Sequence, residues 1–194
     1  MELRGSITST GFTSGHRFVV GHWRSSPVGP FTDVMWADPG GHRRLLAPTA
    51  EARDFVVGVY RFDEEEVVDV TGALVAGPQL GQRLLWVQAG PVRLRLLAGR
   101  PVPLPPAPSP WLTRRLYAPF ARRLLGVRTH GVSPTGVEEW YRASSYRRLV
   151  EARGTVAGTD LGAPAPIEPP TRFGFSEPPR SPSMVVTRPL LRCP

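Results

Sequence analysis

The sequence predicts a mainly β (α+β) protein, a single antiparallel β-barrel or sandwich with two or three helices, one of which covers the barrel. Two observations lead to this prediction. Short segments rich in β-branched and aromatic residues recur through the first hundred residues, with glycine and proline turn signals between them. Apolar residues at helical spacing are confined to a few segments. A chain of 194 residues is long enough for one such domain, which we expect to span residues 1–194.

Several strands can be placed by alternation alone. Residues 16–23 form a strand whose period of two puts four side chains on one face: His16, Phe18, Val20 and His22. Residues 31–37 form the next strand, with Asp33 and Met35 on the face opposite to Val34 and Trp36. Residues 83–98 are typical of a hairpin broken at Gly90-Pro91, with arginines on its solvent face. Residues 183–191 are predicted to form a closing strand.

Helices are predicted in two segments, and a third stays open. In residues 49–59, Thr49 is a suitable N-cap before apolar residues at helical spacing. Residues 101–110 are a proline-rich connector, and a helix from about 110 to 125 follows it and ends at Gly126. Residues 136–153 fit a helix in their first part and a strand in their last. Residues 163–182 are proline-rich and irregular.

The composition excludes several kinds of chemistry. All 24 cationic side chains are arginines, so a Schiff-base lysine and a P-loop lysine are impossible. One cysteine, Cys193, excludes a disulfide framework and a cysteine zinc site. No apolar run approaches the roughly 18 to 20 residues of a membrane helix, and the N-terminus lacks a signal-peptide core. We expect a cytoplasmic protein without cofactor or metal.

The charge is concentrated in the middle of the chain. Residues 83–153 hold 13 arginines and 3 acidic residues, whereas residues 1–82 hold 7 arginines and 10 acidic residues. This pattern fits a basic face that is solvated, or one paired with the acidic N-terminal part, or one that recognises an anion. The net charge of +8 is also compatible with a GC-rich genome, because lysine and asparagine are absent and isoleucine occurs twice.

The histidines and acidic residues supply the catalytic candidates. His16 and His22 lie about 20 Å apart along one strand, so they cannot share a metal ion. Either could pair with Asp33 as an oriented general base, or serve a structural role instead. His130, shortly after Arg128, is expected in a loop where ligand contacts are common. The catalytic candidates are therefore His22, Asp33, His130 and Glu139.

Glu139 belongs to the segment Glu138-Glu139-Trp140-Tyr141, where paired carboxylates stand beside aromatic residues. Burial against such rings raises the pKa of a carboxyl and makes it a usable acid. The alternative is that one glutamate is solvated and the other lies at a helix start. The chain contains no G-x-G-x-x-G, Walker, H-E-x-x-H or G-x-S-x-G motif.

One short segment carries a resemblance. Ser26-Pro27-Val28-Gly29-Pro30-Phe31 resembles the Ser-Pro-x-Gly-Pro-aromatic segment of acetoacetate-decarboxylase-like β-barrels. The resemblance implies a β-barrel. It does not imply decarboxylation, because those enzymes act through a Schiff-base lysine that this chain lacks. The remainder of the chain resembles bacterial proteins from GC-rich genomes.

Two functions from different classes remain open. The first is a binding module that holds a small, mostly apolar, or anionic, molecule inside the barrel. The second is a cofactor-independent enzyme of isomerase, cyclase or hydratase type on the same scaffold. Non-specific anion or nucleic-acid binding by the basic middle segment is a third, and we expect no specific nucleic-acid partner. The oligomeric state stays open. The expected ligand contacts are Trp36, Trp86, Arg95, Arg128, Trp140 and Tyr141.

Overall fold

The fold is a single curled β-sheet that forms a half-barrel, as a computed structural model shows. The structure describes residues 1–104, 130–133, 135–174 and 176–192. Within these residues the strands are β1 (Arg4–Phe12), β2 (Arg17–Ser25), β3 (Phe31–Ala37), β4 (Arg43–Ala47), β5 (Glu64–Val67), β6 (Val70–Ala76), β7 (Arg83–Ala89), β8 (Val92–Ala98), β9 (Val102–Pro103), β10 (His130–Val132), β11 (Glu138–Val156), β12 (Thr159–Asp160), β13 (Pro164–Ala165) and β14 (Ser183–Arg192). The one helix among them is α1 (Ala50–Val57).

The strand order explains why the sheet curls. The main path runs β5-β4-β3-β2-β1-β14-β11-β8-β7-β6, and the short strands β9, β10, β12 and β13 attach to β11 or β1. Strands β5 and β6 are consecutive in the chain, yet they form opposite edges of this path. Only residues 68 and 69 link them, so the Cα atoms of Val67 and Val70 are three residue steps apart, at most about 11 Å. The edges must therefore approach each other, and β6 contacts β3 across the gap.

The concave side of the sheet is filled by a hydrophobic core. Side chains from both halves of the sheet meet there, including Val20, Val34, Leu85, Leu96 and Met184, each fully buried. Burial of such side chains contributes about 1.5–3 kcal/mol each, so this core is the main source of stability. The predicted β fold is confirmed, and its interior is closed by packed side chains.

A second core covers half of the convex side. Helix α1 places Ala52 and Val56 against Val19, Met35 and Leu45 of the sheet. The side chain of its N-cap, Thr49, accepts a hydrogen bond of 3.1 Å from the backbone N–H of Ala52, as predicted. This helix thus sits over β2–β4. The predicted helix at about 110–125 lies outside the described residues.

Residues 136–153 are not helical. Residues 138–153 belong to the long strand β11, and residues 136 and 137 precede it. The first part of β11 pairs with β14, and its last part pairs with β8. Register shifts between Ala143 and Ser145 and between Leu149 and Glu151 mark two irregularities in it. Each shift moves the following side chains to the other face. The broken alternation explains why the sequence also fitted a helix.

Two buried arginines tie loops to the sheet. Arg17 donates hydrogen bonds to the carbonyls of Pro169 and Asp38, at 2.8 and 2.6 Å. Arg147 donates to the carbonyls of Gly99, at 2.9 Å, and Gly81. Within the described part of the chain, no helix is long and apolar enough to cross a membrane.

Candidate functional site

Asp33 is a fully buried carboxyl in the middle of the sheet. Its cross-strand neighbour in β2 is Gly21, and strand alternation directs its side chain to the convex side, towards α1. The indole Nε1 of Trp23 donates a hydrogen bond of 3.0 Å to Oδ1 of Asp33. The other oxygen, Oδ2, is buried without a hydrogen-bond partner among the described residues.

The environment of Asp33 favours its neutral form. Burial raises the pKa of this carboxyl to about 7, and the hydrogen bonds from Trp23 and from its own backbone offset only part of that increase. A carboxyl with a pKa near 7 is present at neutral pH in both the protonated and the ionised form. It can therefore donate a proton or accept one under physiological conditions.

Gly21 provides the space that this arrangement needs. A Cβ atom at position 21 would lie 2.3 Å from Oδ1 of Asp33 and 2.5 Å from Nε1 of Trp23. Both distances are far below van der Waals contact. The hydrogen bond between Trp23 and Asp33 therefore occupies the space of a Cβ atom at position 21, and only glycine fits there. Gly21 is not at positive φ, so the requirement comes from steric contact alone.

Asp33 lines a small pocket between the sheet and α1. The walls are apolar or aromatic apart from the carboxyl, and they come from the sheet, the helix and the C-terminal strand: Leu3, Trp23, Phe31, Met35, Phe55, Val56, Val59, Tyr60, Pro189 and Leu191. The cavity volume is about 30 Å³. That is room for roughly one water molecule, whereas pockets for drug-sized ligands measure about 300–1,000 Å³.

Of the two alternatives for His22, a general base paired with Asp33 or a structural residue, the structure does not show the pairing. His22 lies on the concave side, where its Nδ1 is 2.8 Å from Oγ1 of Thr32. Thr32 and Asp33 are adjacent in β3 and therefore point to opposite faces. The registers pair His22 with Thr32 and Gly21 with Asp33. Burial lowers the pKa of His22, with a further decrease from the charge of Arg24.

His16 and Trp36 form a separate contact on the concave side. The indole Nε1 of Trp36 donates a hydrogen bond of 2.9 Å to Nδ1 of His16, and both rings lie near Phe18. The guanidinium of Arg44 lies 4.8 Å from the centre of the Trp36 ring. Trp36 is thus a buried core residue with neighbours on both sides of its ring. It does not line an open pocket among the residues that the structure describes.

The other candidate ligand contacts are spread over the fold. Trp86 and Arg95 are cross-strand neighbours on the outer face of β7 and β8, away from the Asp33 pocket. Trp140 lies in β11, where it pairs with His130 of β10 and Leu190 of β14. Glu139 and Tyr141 occupy the adjacent positions of β11, opposite Leu191 and Pro189 of the pocket wall. Arg128 lies outside the described residues.

The segment 26–31 that resembles acetoacetate-decarboxylase-like barrels is the turn between β2 and β3. Ser26 Oγ accepts a hydrogen bond of 3.1 Å from Val28 N and donates one of 2.5 Å to the Gly29 carbonyl. Gly29 has a φ of 88°, which only glycine adopts without strain. The turn leads directly into Phe31 of the pocket wall.

Trp23 is the site residue that the sequence reasoning missed. Trp23 and Asp33 both occupy odd positions of correctly placed strands, and they share a face because the register pairs Gly21 with Asp33 and Trp23 with Phe31. Within the described residues, no three His, Cys, Asp or Glu side chains are grouped as metal ligands. Asp33 is the one ionisable side chain of the pocket wall apart from Tyr60.

Comparisons with known proteins add no further assignment to this site. No protein-family model, curated protein or solved structure matches the chain.

Proposed function

We propose that the protein binds a small, mostly apolar molecule through the Asp33 pocket. The observation that carries this proposal is the buried Oδ2 of Asp33, which has no hydrogen-bond partner among the described residues. A buried polar atom without a partner costs roughly 1–3 kcal/mol, and a ligand that supplies the partner recovers that free energy. The surrounding apolar walls match the remainder of such a molecule.

The chemistry of Asp33 defines the polar group of the ligand. A protonated carboxyl donates a hydrogen bond to a carbonyl or hydroxyl oxygen, and an ionised one accepts from an amine or hydroxyl. An anionic group is disfavoured, because it would repel the ionised carboxyl at close range. The preferred ligand is therefore neutral or cationic at the end that enters the pocket.

The binding site lies on the convex side because packed side chains fill the concave side. The cavity of about 30 Å³ admits only the head of a ligand, so a larger molecule requires α1 to move. This helix has eight residues and buries only Ala52 and Val56 completely. A short helix with few buried residues opens at a lower free-energy cost than the central strands.

Fluorescence of the neutral dye N-phenyl-1-naphthylamine tests the proposal, because the dye is apolar and carries one N–H donor. We expect the dye to brighten on binding, and Val56→Phe, which fills the pocket, to abolish the signal. Asp33→Leu is expected to weaken binding about tenfold, whereas Asp69→Asn, which removes an exposed carboxyl, leaves it unchanged. Equal binding by the Val56→Phe variant, folded by circular dichroism, would refute the proposal. Native mass spectrometry of the purified protein would identify a retained ligand.

A second candidate function is cofactor-independent acid–base catalysis in the same pocket. The pKa of about 7 favours it, because a general acid or base works best when its pKa is close to the operating pH. Asp33 would transfer a proton to or from the bound molecule, as an isomerase or hydratase requires. Turnover of a ligand found by mass spectrometry, with a pH inflection near 7 that Asp33→Asn removes, would support catalysis over binding alone.

A further inference from the structure

The outer face of the second half of the sheet carries one exposed aromatic residue in line with arginines. The registers place Ala73, Trp86, Arg95 and Arg153 in a single row across β6, β7, β8 and β11. The Trp86 residue is 42% exposed, and the Arg153 side chain is 78% exposed. A large aromatic ring that is exposed on a sheet has a flat face free to contact a planar group.

The charge around Trp86 is positive. Arg93 is exposed in the adjacent row, where it pairs with Gln88 and Thr155. Glu151 and Asp160 are acidic residues of this face. Glu151 forms ion pairs with Arg95 and Arg153 at 2.5 and 3.0 Å, and Asp160 is the exposed cross-strand neighbour of Thr155. Exposed ion pairs of this kind contribute little to stability, so Arg95 and Arg153 can release Glu151 and contact a phosphate group instead. The three arginines Arg93, Arg95 and Arg153 against the two acidic residues leave this face with a net positive charge.

We propose that this Trp86 face binds single-stranded nucleic acid without sequence preference. A base stacks on the exposed indole, and the phosphates on either side contact Arg93, Arg95 and Arg153. Cross-strand neighbours on a sheet stand about 5 Å apart, so the ring and the guanidinium of Arg95 are adjacent. Single-strand binding proteins combine aromatic stacking with a positive surface in this way.

The neighbours of Trp86 favour a nucleic acid over an anionic membrane. A face that enters a lipid surface exposes several apolar side chains. The row on one side of Trp86 is polar, with Thr71, Gln88 and Thr155, and in the row on its other side Val75 is exposed while Leu97 is buried. A duplex is also disfavoured, because its bases are paired and stacked and offer no free face to an indole. The Trp86 face is separate from the Asp33 pocket, so this proposal is independent of the proposed function.

Fluorescence anisotropy of a labelled 20-nucleotide oligo(dT), with the intact protein at about 50 mM salt, tests the proposal. We expect Trp86→Ala to weaken binding at least fivefold and Trp86→Phe to retain most of it, since stacking contributes roughly 1–3 kcal/mol per base. Each phosphate contact contributes about 0.7 to the magnitude of the slope of log K against log salt. The double variant R95Q/R153Q, which removes two contacts, should therefore make this slope shallower by about 1.4. Arg24→Gln, an exposed arginine on the other half of the sheet, is the matched control and should have little effect.

Three results would overturn the proposal. The first is no binding of the oligo(dT), or equal affinity for a blunt 20-base-pair duplex. The second is unchanged affinity of a folded Trp86→Ala variant, or a loss of affinity with Arg24→Gln as large as that with R95Q/R153Q. The third is flotation of the protein with vesicles of phosphatidylserine and phosphatidylcholine that depends on Trp86 while the oligo(dT) does not bind.

Discussion

Trp23 and Asp33 share a buried hydrogen bond, with Nε1 of the indole 3.0 Å from Oδ1 of the carboxyl. The bond joins neighbouring strands β2 and β3 across Gly21. It satisfies one oxygen and leaves the other without a partner among the described residues. A protonated carboxyl still accepts at Oδ1, so this contact is compatible with a neutral Asp33.

The raised pKa of Asp33 predicts that part of the stability is lost as pH increases. The pKa in the unfolded chain is near 3.8, and the pKa in the folded protein is about 7. Between these values the folded state binds the proton and the unfolded state does not. This contribution is therefore complete below about pH 4 and disappears as pH rises through 7, with a total of about 4 kcal/mol.

Chemical denaturation of the wild type and Asp33→Asn between pH 5 and pH 8 measures this effect. Asparagine keeps an acceptor for Trp23 and cannot ionise, so the variant should exceed the wild type by about 1.5 kcal/mol at pH 5 and by about 4 kcal/mol at pH 8. Asp69→Asn, at an exposed position, should follow the wild-type curve. Parallel curves for the wild type and Asp33→Asn would contradict a raised pKa.

Gly21→Ala is expected to destabilise the protein by about 1–3 kcal/mol, the usual cost of overpacking a well-packed core. The added Cβ would lie 2.3 Å from Asp33 Oδ1. The measurement is the free energy of unfolding, in the wild-type background and in an Asp33→Ala background. The cost should be smaller in the second background, because the closest atom is gone. An equal cost in both backgrounds would show that the strain does not come from the contact with Asp33.

The strand pattern could be predicted where alternation was uninterrupted. The β7–β8 hairpin and its arginine face follow from the period of two in residues 83–98, and α1 follows from Thr49 and the apolar spacing after it. The strand β11 could not be assigned, because register shifts near Ser144 and Val150 interrupt its alternation. Strand pairing also depends on tertiary packing, so its register was not available from local sequence.

The candidate site was predicted only in part. Asp33 was chosen for its chemistry, and a histidine was one alternative partner because the two residues lie on adjacent strands. A one-residue difference in position puts His22 beside Thr32 and Trp23 beside Asp33. Successive residues of a strand point to opposite faces of the sheet. A difference of one position therefore puts His22 and Asp33 on opposite faces and Trp23 on the face of Asp33.

Arg147→Gln is expected to lower the free energy of unfolding by about 2–4 kcal/mol. Arg147 is buried and donates hydrogen bonds to the carbonyls of Gly81 and Gly99, and its loss leaves buried acceptors without a donor. Arg148, next in β11, is exposed, so Arg148→Gln should cost less than about 0.5 kcal/mol. Similar effects of the two substitutions in urea denaturation would contradict a structural role of Arg147.

The hydrogen bond between Trp36 and His16 predicts a histidine that resists protonation. Nδ1 of His16 accepts from the indole Nε1 of Trp36, which requires an unprotonated Nδ1. Burial lowers the pKa of His16 from 6.5, and nearby Asp38 offsets part of this decrease. The unfolded state therefore binds the proton more readily, and stability falls as pH decreases below about 6.5. This dependence runs opposite to that of Asp33.

Nuclear magnetic resonance titration of the histidines measures this pKa directly, and the indole N–H signal of Trp36 should shift as His16 becomes protonated. His16→Gln retains a side-chain acceptor without a titrating group, so its stability should depend less on pH between 5 and 6.5 than that of the wild type. His42→Gln, at an exposed position, is the matched control and should retain the wild-type dependence. A His16 pKa at or above 6.5 would show that the hydrogen bond from Trp36 does not hold the neutral ring in solution.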